Sequence, residues 1–160
     1  MKRALFAATA LMLLLATPAW AQGAPNFSGT WKVDIAKSDF GPAPPPESIV
    51  MVIDHKEPVI KATTTQKSQI GDTSNDSVVT TDGKENTNRL KGAGLDQDVK
   101  STTKWNGTKL ATQRTIEVQG MSISTTDSWE LSADGKVLTI SREIRTPQGD
   151  FATKTVFNKQ

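Results

Sequence analysis

The sequence predicts an all-β fold, an antiparallel up-and-down meander of about ten strands that closes into a β-barrel. Short segments rich in Thr, Val and Ile alternate apolar and polar residues with a period of two, as half-buried strands do. No segment after the N-terminal leader has a convincing helical period. A long meander without helices is most simply closed into a barrel, because closure removes the exposed edge strands. A two-sheet β-sandwich is the alternative.

The N-terminal leader has the zones of a removable secretory signal. Two positive residues precede an apolar run through Leu15, and Ala19-Trp20-Ala21 is a small-x-small cleavage site. The apolar run is shorter than the roughly 20 residues that cross a bilayer. We therefore expect residues 1–21 to be cleaved as a signal peptide. Residues 22–160 should then form a single domain in the periplasm or the medium, without stable membrane insertion.

Charge and cysteine content limit the function classes. The sequence has 19 basic and 17 acidic residues, and two of the basic ones, Lys2 and Arg3, lie in the leader. Residues 22–160 therefore carry no net charge, and they have no basic stripe of the kind that binds nucleic acid. The chain has no cysteine, so the core must be stable without disulfides.

Turn residues divide the chain into ten predicted strands. Four dipeptides are predicted to form two-residue hairpin loops: Asp82-Gly83, Asn106-Gly107, Gln119-Gly120 and Asp134-Gly135. A longer turn is expected at 146–150. Between the first two strands, Pro42, Pro44, Pro45 and Pro46 exclude a regular helix and predict a stiff, extended loop. The predicted strands lie near 28–35, 47–55, 58–67, 75–81, 84–91, 97–105, 108–118, 121–132, 136–146 and 151–159.

The segment "FSGTWKVD", residues 27–34, resembles the first strand of the calycins, the group that contains lipocalins and fatty-acid-binding proteins. The resemblance implies that Trp31 closes one end of the barrel and that Gly29 lets the chain bend tightly beneath it. Fatty-acid-binding proteins usually hold the carboxylate with an Arg-x-Tyr pair on the last strand, where this chain has Thr155 and Phe157, so that site is absent. The segment is also similar to the start of small exported bacterial proteins, which implies no activity.

Two-residue loops fix which residues oppose each other on neighbouring strands. The loops at Gln119-Gly120 and Asp134-Gly135 place Asp127 between two opposing residues, Thr112 and Arg142. The other predicted pairs are Arg114 with Thr125, Leu110 with Trp129, Ile116 with Ile123, Trp129 with Ile140, Leu131 with Leu138, Thr103 with Leu110 and Ser101 with Thr112. If Thr146 pairs with Phe151, Thr155 lies beside Arg142 and Phe157 beside Ile140.

These paired residues share one face, and the opposite face of the same strands is strongly polar, so the shared face is predicted to look inward. Two inward arginines against one aspartate leave an unbalanced positive charge. The cluster is either an internal structural network or a site for an anionic head group whose tail lies along apolar neighbours. The candidate ligand-binding residues are Arg114, Asp127, Arg142, Thr112, Thr155 and Trp129.

Catalytic and metal sites are not expected. His55 is the only histidine and is predicted to be a solvated turn residue, and no catalytic triad, zinc site or phosphate loop can be assembled. Two acidic pairs, Asp72 with Asp76 and Asp96 with Asp98, have too few ligands for a calcium site. No cofactor is predicted.

The sequence therefore favours an exported, non-enzymatic, lipocalin-like protein that binds a small lipophilic or anionic molecule inside the barrel. A structural or protein-interaction role in the cell envelope is the alternative, and an uncatalogued hydrolase ranks third.

Overall fold

A computed structural model describes residues 24–69, 71–92 and 94–160, which form ten antiparallel strands and one turn of 3-10 helix, Ile35–Lys37. The predicted leader and its cleavage site lie outside the described residues. The all-β prediction is confirmed. The strands are β1 Gly29–Val33, β2 Ser48–Lys56, β3 Val59–Lys67, β4 Thr73–Thr80, β5 Asp82–Gly92, β6 Leu95–Asn106, β7 Lys109–Val118, β8 Met121–Leu131, β9 Val137–Thr146 and β10 Gly149–Lys159.

The strands form a single curled sheet with the order β4-β3-β2-β1-β10-β9-β8-β7-β6-β5. Pairing of β1 with β10 joins the first and last strands, and β4 lies beside β5, so the sheet is a nearly closed barrel and not a sandwich. No backbone ladder joins the described residues of β4 and β5. The predicted hairpin at Asp82-Gly83 is therefore wrong, because the strands on either side of it are not paired. Gly83 does turn the chain, with φ +79°.

One end of the barrel is plugged by the N-terminal segment. Phe27 and Trp31 are fully buried, and the indole Nε1 of Trp31 donates to the Phe27 carbonyl at 2.8 Å. Gly29 has φ +138°, a backbone conformation that favours glycine. Trp31 and Gly29 lie on the first strand at this end of the barrel, which we call the closed end.

The apolar core fills the closed half of the barrel. Large side chains from strands on opposite sides meet there, because inward positions recur at every second residue. The core comprises Phe27, Trp31, Val33, Ile49, Met51, Ile53, Ile60, Ala62, Leu110, Leu138, Ile140 and Phe157.

The loop between β1 and β2 is extended, as its prolines predict. After the single 3-10 turn, Asp39 forms an isolated antiparallel bridge with Lys154, beyond the point where β1 ends. The loop thus continues along β10 toward the other end of the barrel, which we call the mouth. No helical lid covers the mouth within the described residues.

Two of the predicted registers are correct. Gln119 and Gly120 have φ +51° and +76°, which gives a two-residue loop and the predicted pairing of Ile116 with Ile123. The β8–β9 register expected from Asp134-Gly135 is also found, with Asp127 opposite Arg142. The position of Asp127 between β7 and β9 was therefore predictable from turn residues.

Two other registers are shifted by two residues. Asn106 pairs with Lys109, so the loop consists of Gly107 and Thr108 and not of Asn106-Gly107. Gly107 (φ +62°) occupies the first central position, as glycine does in a type II′ turn. Ser101 therefore opposes Arg114.

The second shift follows from a shorter turn at Pro147-Gln148, where Thr146 pairs with Gly149 and not with Phe151. Thr155 therefore lies beside Ile140, and Thr153 takes the predicted place beside Arg142. A shift of two residues keeps every side chain on the same face, so the inward assignment survives.

Candidate functional site

A cavity of about 230 Å³ lies inside the barrel, between the apolar core and the mouth. One wall is formed by β7 to β10 and the other by β2 to β4. The lining residues are Ile49, Met51, Ala62, Thr64, Gln66, Ser77, Arg114, Asp127, Trp129, Ile140, Arg142, Thr153, Thr155 and Phe157.

Asp127 is the centre of a charged cluster on the wall formed by β7 to β10. Arg142 donates from Nε to Asp127 Oδ1 at 2.5 Å and from Nη2 to Oδ2 at 2.8 Å, a bidentate pair. Arg114 donates from Nη2 to the same Oδ2 at 3.0 Å and from Nε to the Thr125 hydroxyl at 3.1 Å. One carboxylate is therefore shared by two guanidinium groups.

The cluster is deep in the barrel but open toward the cavity. The Asp127 side chain is 5% exposed, whereas those of Arg114 and Arg142 are 30% and 37% exposed. Because both arginines line the cavity, their free guanidinium surface faces its space. Among the described residues no other charged side chain lines the cavity, so this wall carries a net charge of +1.

The three groups are not electrostatically equal. Burial alone would raise the pKa of Asp127, but the hydrogen bonds and charge of Arg142, together with the charge of Arg114, hold that pKa below its usual range. Burial also opposes the charge of Arg142, yet Asp127 outweighs burial and raises the pKa of Arg142. For Arg114, burial and the charge of Arg142 lower the pKa despite the nearby carboxylate. Arg142 makes two hydrogen bonds to Asp127 and Arg114 makes one, so Arg142 and Asp127 form the matched pair and Arg114 is the surplus cation.

The cavity also contains an unsatisfied donor. Within the described part of the chain, the indole Nε1 of Trp129 is the buried side-chain polar atom that lacks a hydrogen-bond partner. Its ring packs edge-to-face on Phe27, with the ring centroids 5.6 Å apart. A buried donor without a partner is costly, which makes this N–H a ready contact for a ligand acceptor or a water molecule.

The mouth side of the cluster is apolar. Beyond Arg114 and Thr125, the next inward positions are occupied by Ile116, Ile123 and Ile144, which are partly exposed. Phe151 pairs with Ile144 and is 38% exposed. A molecule held at the cluster would therefore meet apolar side chains toward the mouth.

The structure brings together most of the predicted site residues. Arg114, Asp127, Trp129, Arg142 and Thr155 line the cavity, although Thr155 lies beside Ile140 and not beside Arg142. Thr112 does not line it; its hydroxyl lies 2.9 Å from that of Thr103, with which it pairs. Sequence reasoning missed the opposite wall, including Thr64, Gln66 and Ser77, although the alternation of β2 and β3 carried the signal.

His55 is not the solvated turn residue that the sequence suggested. It is 3% exposed, and its Nδ1 accepts a hydrogen bond from the Phe27 N–H at 3.1 Å. Its Nε2 lies 2.9 Å from Glu57 Oε1, which also accepts from Trp105 Nε1. The Phe27 and Trp105 rings stack near the imidazole, so His55 ties the N-terminal plug to the closed end. The prediction failed because the neighbouring Lys56 and Glu57 are exposed while the alternation turns His55 inward.

Three of the acidic groups outside the cavity that could have balanced or bound a cation have surface partners. Glu85 forms an ion pair with Lys100 at 2.8 Å, so it does not neutralise the arginine cluster. Asp96 and Asp98 both bind Arg89. The described residues contain no group of three or more His, Asp or Glu that could hold a metal ion.

A larger depression, of about 540 Å³, lies on β5 to β9. Most of its lining side chains are exposed and polar, such as Lys100, Gln113 and Glu143, and none of the described residues that line it is a large apolar one. Ligand sites are typically concave and mostly apolar with a few placed polar groups. The smaller interior cavity is enclosed by the barrel and combines apolar side chains, among them Met51, Trp129 and Phe157, with placed polar groups, so we treat it as the candidate site.

No protein-family model and no curated protein sequence matches this chain. Solved structures do. Secretory abundant heat soluble protein 4 from Ramazzottius varieornatus has 15% identity and a TM-score of 0.55, with 86% of this chain and 96% of that chain covered. Zebrafish ileal bile acid-binding protein complexed with cholic acid has 18% identity and a TM-score of 0.53, with 84% and 98% covered.

A Schistosoma mansoni fatty acid binding protein in complex with arachidonic acid is also similar in structure, with 13% identity, a TM-score of 0.53, and 86% of this chain and 99% of that chain covered. At such identities the likeness concerns the fold. The ten-stranded antiparallel meander and these neighbours agree in fold, and the chain has a nearly closed β-barrel of the lipocalin and fatty-acid-binding-protein type.

Proposed function

We propose that this protein binds a small anionic amphiphile inside its barrel, with the anionic head at Arg114 and Arg142. The observation that carries the proposal is the surplus positive charge on the cavity wall, where two guanidiniums share Asp127. A buried charge is costly unless it is paired, so a monoanionic head group would complete the cluster. The apolar side chains toward the mouth, among them Ile144 and Phe151, would receive the tail.

Two further observations support a ligand of this class. The unpartnered Nε1 of Trp129 offers a donor on the same wall. The similar structures from zebrafish and Schistosoma hold cholic acid and arachidonic acid, which are both lipophilic acids. Neighbours of this kind favour a binding protein over an enzyme, in agreement with the absence of a recognisable catalytic motif in the sequence.

The cavity size limits the ligand. Sites that enclose drug-sized molecules typically measure about 300–1,000 Å³, whereas this cavity measures about 230 Å³. The proposed ligand is therefore small, or it leaves part of its tail among the partly exposed residues of the mouth.

Native mass spectrometry of purified residues 22–160, with solvent extraction of bound material, tests the proposal. We expect a reproducible adduct of low mass that is lost on extraction and returns on incubation with a lipid extract. A clean apo mass that persists after this incubation would contradict it. The small cavity and the fully bonded Asp127 would then favour the second candidate, a structural or protein-interaction role in the cell envelope without a ligand.

Export is part of the proposal. The leader predicts cleavage after Ala21 and release into the periplasm or the medium, and the described residues contain no helix with the length and hydropathy to cross a membrane. The intact mass of the native protein should correspond to a chain that begins at Gln22. A membrane-bound product that retains Met1 would contradict export.

A further inference from the structure

The barrel wall has one seam without a backbone ladder, between β4 and β5. These strands stand at the two ends of the strand order, yet they lie side by side. Near the mouth they approach closely, since a Cβ on Gly92 would lie 2.4 Å from Thr73 Cγ2. The β7–β8 seam, by contrast, is paired continuously from Leu110 to Val118.

Side-chain amides replace the missing ladder. Toward the closed end, Asn86 Nδ2 donates to the Thr80 hydroxyl at 3.3 Å, and two further asparagines bridge the seam nearer the mouth. Asn75 on β4 accepts from the Lys91 N–H at 2.7 Å and donates to the Lys91 carbonyl at 3.0 Å. Asn88 on β5 does the same with Val78, accepting from its N–H at 2.7 Å and donating to its carbonyl at 3.0 Å. Each of these last two amides thus imitates the backbone of a paired strand, and the two arrangements are reciprocal.

The β4 side of this seam borders the cavity. Asn75 and Ser77 share one face of β4, and Ser77 lines the cavity. Because the four amide bonds lie at exposed positions, water can replace them at little cost. The other short seam, β1 with β10, is extended by backbone bonds, such as that from the Asp34 N–H to the Val156 carbonyl at 2.7 Å. The β4–β5 seam is therefore the section of the wall that separates most easily.

We propose that a ligand enters and leaves the cavity through the β4–β5 seam, with Asn75 and Asn88 as the latch that closes it. The proposal rests on the proposed function for the identity of the ligand, a monoanionic amphiphile. It adds a route and the residues that control it. Opening the seam needs side-chain amides to exchange protein partners for water, whereas opening any continuous ladder would break backbone pairing along two strands.

Hydrogen exchange and binding kinetics on matched variants test this route. Asn75→Leu and Asn88→Leu keep the side-chain size and remove the amide without adding charge to the cavity. Asn106→Leu, at an exposed turn of the closed end, is the control. Either seam variant should raise the amide exchange rates of both Val78 and Lys91 about three- to tenfold, because the two halves of the latch open together.

The same variants should accelerate both association and dissociation of the fluorescent anion anilinonaphthalene sulfonate by similar factors, with Kd nearly unchanged. The control should leave exchange and kinetics unchanged. In the unsubstituted protein, Val78 and Lys91 should already exchange faster than amides inside the β7–β8 ladder, a measurement that does not depend on a variant folding.

Three results would overturn the proposal. Slow amide exchange at Val78 and Lys91 in the unsubstituted protein and in both seam variants would mean that the Asn75 and Asn88 side chains do not control the opening of the seam. Faster exchange in the seam variants, with unchanged affinity and unchanged binding rates for the probe, would show that the ligand passes through the mouth. This result would contradict the proposed route and leave the proposed function standing. Failure of the unsubstituted protein to bind the probe, with a normally folded spectrum, would contradict the proposed function and the route with it.

Discussion

The closed end and the charged cluster bury their central residues equally, yet the two regions are built differently. Trp31 is 0% exposed and Asp127 4% exposed. At the closed end, the one polar atom of Trp31 has its partner in the Phe27 carbonyl. In the cluster, Arg114 and Arg142 both donate to Asp127, so two positive charges face one negative charge. Burial alone thus does not separate a core from a site, whereas the balance of charges and donors does.

The largest expected loss of stability comes from a substitution at the closed end. Trp31→Ala removes a fully buried indole and should lower the free energy of unfolding by about 3–5 kcal/mol, as large core aromatics do. Chemical denaturation measures it, with Val52→Ala at a half-exposed outward position as the control. A loss under about 1 kcal/mol would mean that Trp31 does not hold the closed end together.

A smaller loss is expected at the cluster. Asp127→Asn removes the carboxylate between two guanidiniums and should cost roughly 2–3 kcal/mol, less than the 3–5 kcal/mol of a dry buried pair because both arginines face the cavity. The matched control is Asp150→Asn, an exposed position that should change stability by less than about 0.5 kcal/mol. Equal effects of the two substitutions would show that the cluster is solvated and has no special role in the apo protein.

The stability lost in Asp127→Asn should depend on pH, unlike the stability lost at the closed end in Trp31→Ala. A carboxyl whose pKa is lower in the folded than in the unfolded chain contributes stability that is complete above the unfolded value, about 3.9 for Asp. The contribution disappears as the pH falls through the folded value. The stability difference between the native protein and Asp127→Asn should therefore shrink below about pH 4. A difference that stays constant down to about pH 2 would contradict the ion pair.

Much of the inward face was predictable from turn chemistry. The Gln119-Gly120 loop has the expected two residues, which placed Arg114 opposite Thr125 and Thr112 opposite Asp127. Where a loop differs from the expected one in position, as at Gly107-Thr108, or in length, as at Pro147-Gln148, the register moves by two and the face is preserved. The sequence therefore predicted which side chains enter the barrel better than it predicted their neighbours.

The rest of the site depends on long-range geometry. The diagonal bond from Arg114 to Asp127 skips a direct cross-strand pair, so no turn rule predicts it. The wall formed by Thr64, Gln66 and Ser77 meets the cluster through barrel closure, which strand alternation does not position. The contacts of His55 with Phe27 and Trp105 likewise join segments distant in the chain.

The Arg114→Met substitution tests the central claim most directly, because it removes the surplus cation and leaves the Arg142–Asp127 pair intact. Apo stability should be unchanged within about 0.5 kcal/mol or slightly higher, since burial and Arg142 both oppose the charge of Arg114. Affinity for octanoate, measured by calorimetry, should fall about tenfold or more, while affinity for octanol, with the same chain length, should change by less than about twofold. If Arg114→Met destabilises the protein as much as Asp127→Asn and affects octanoate and octanol equally, the cluster is a closed structural network and the binding account is wrong.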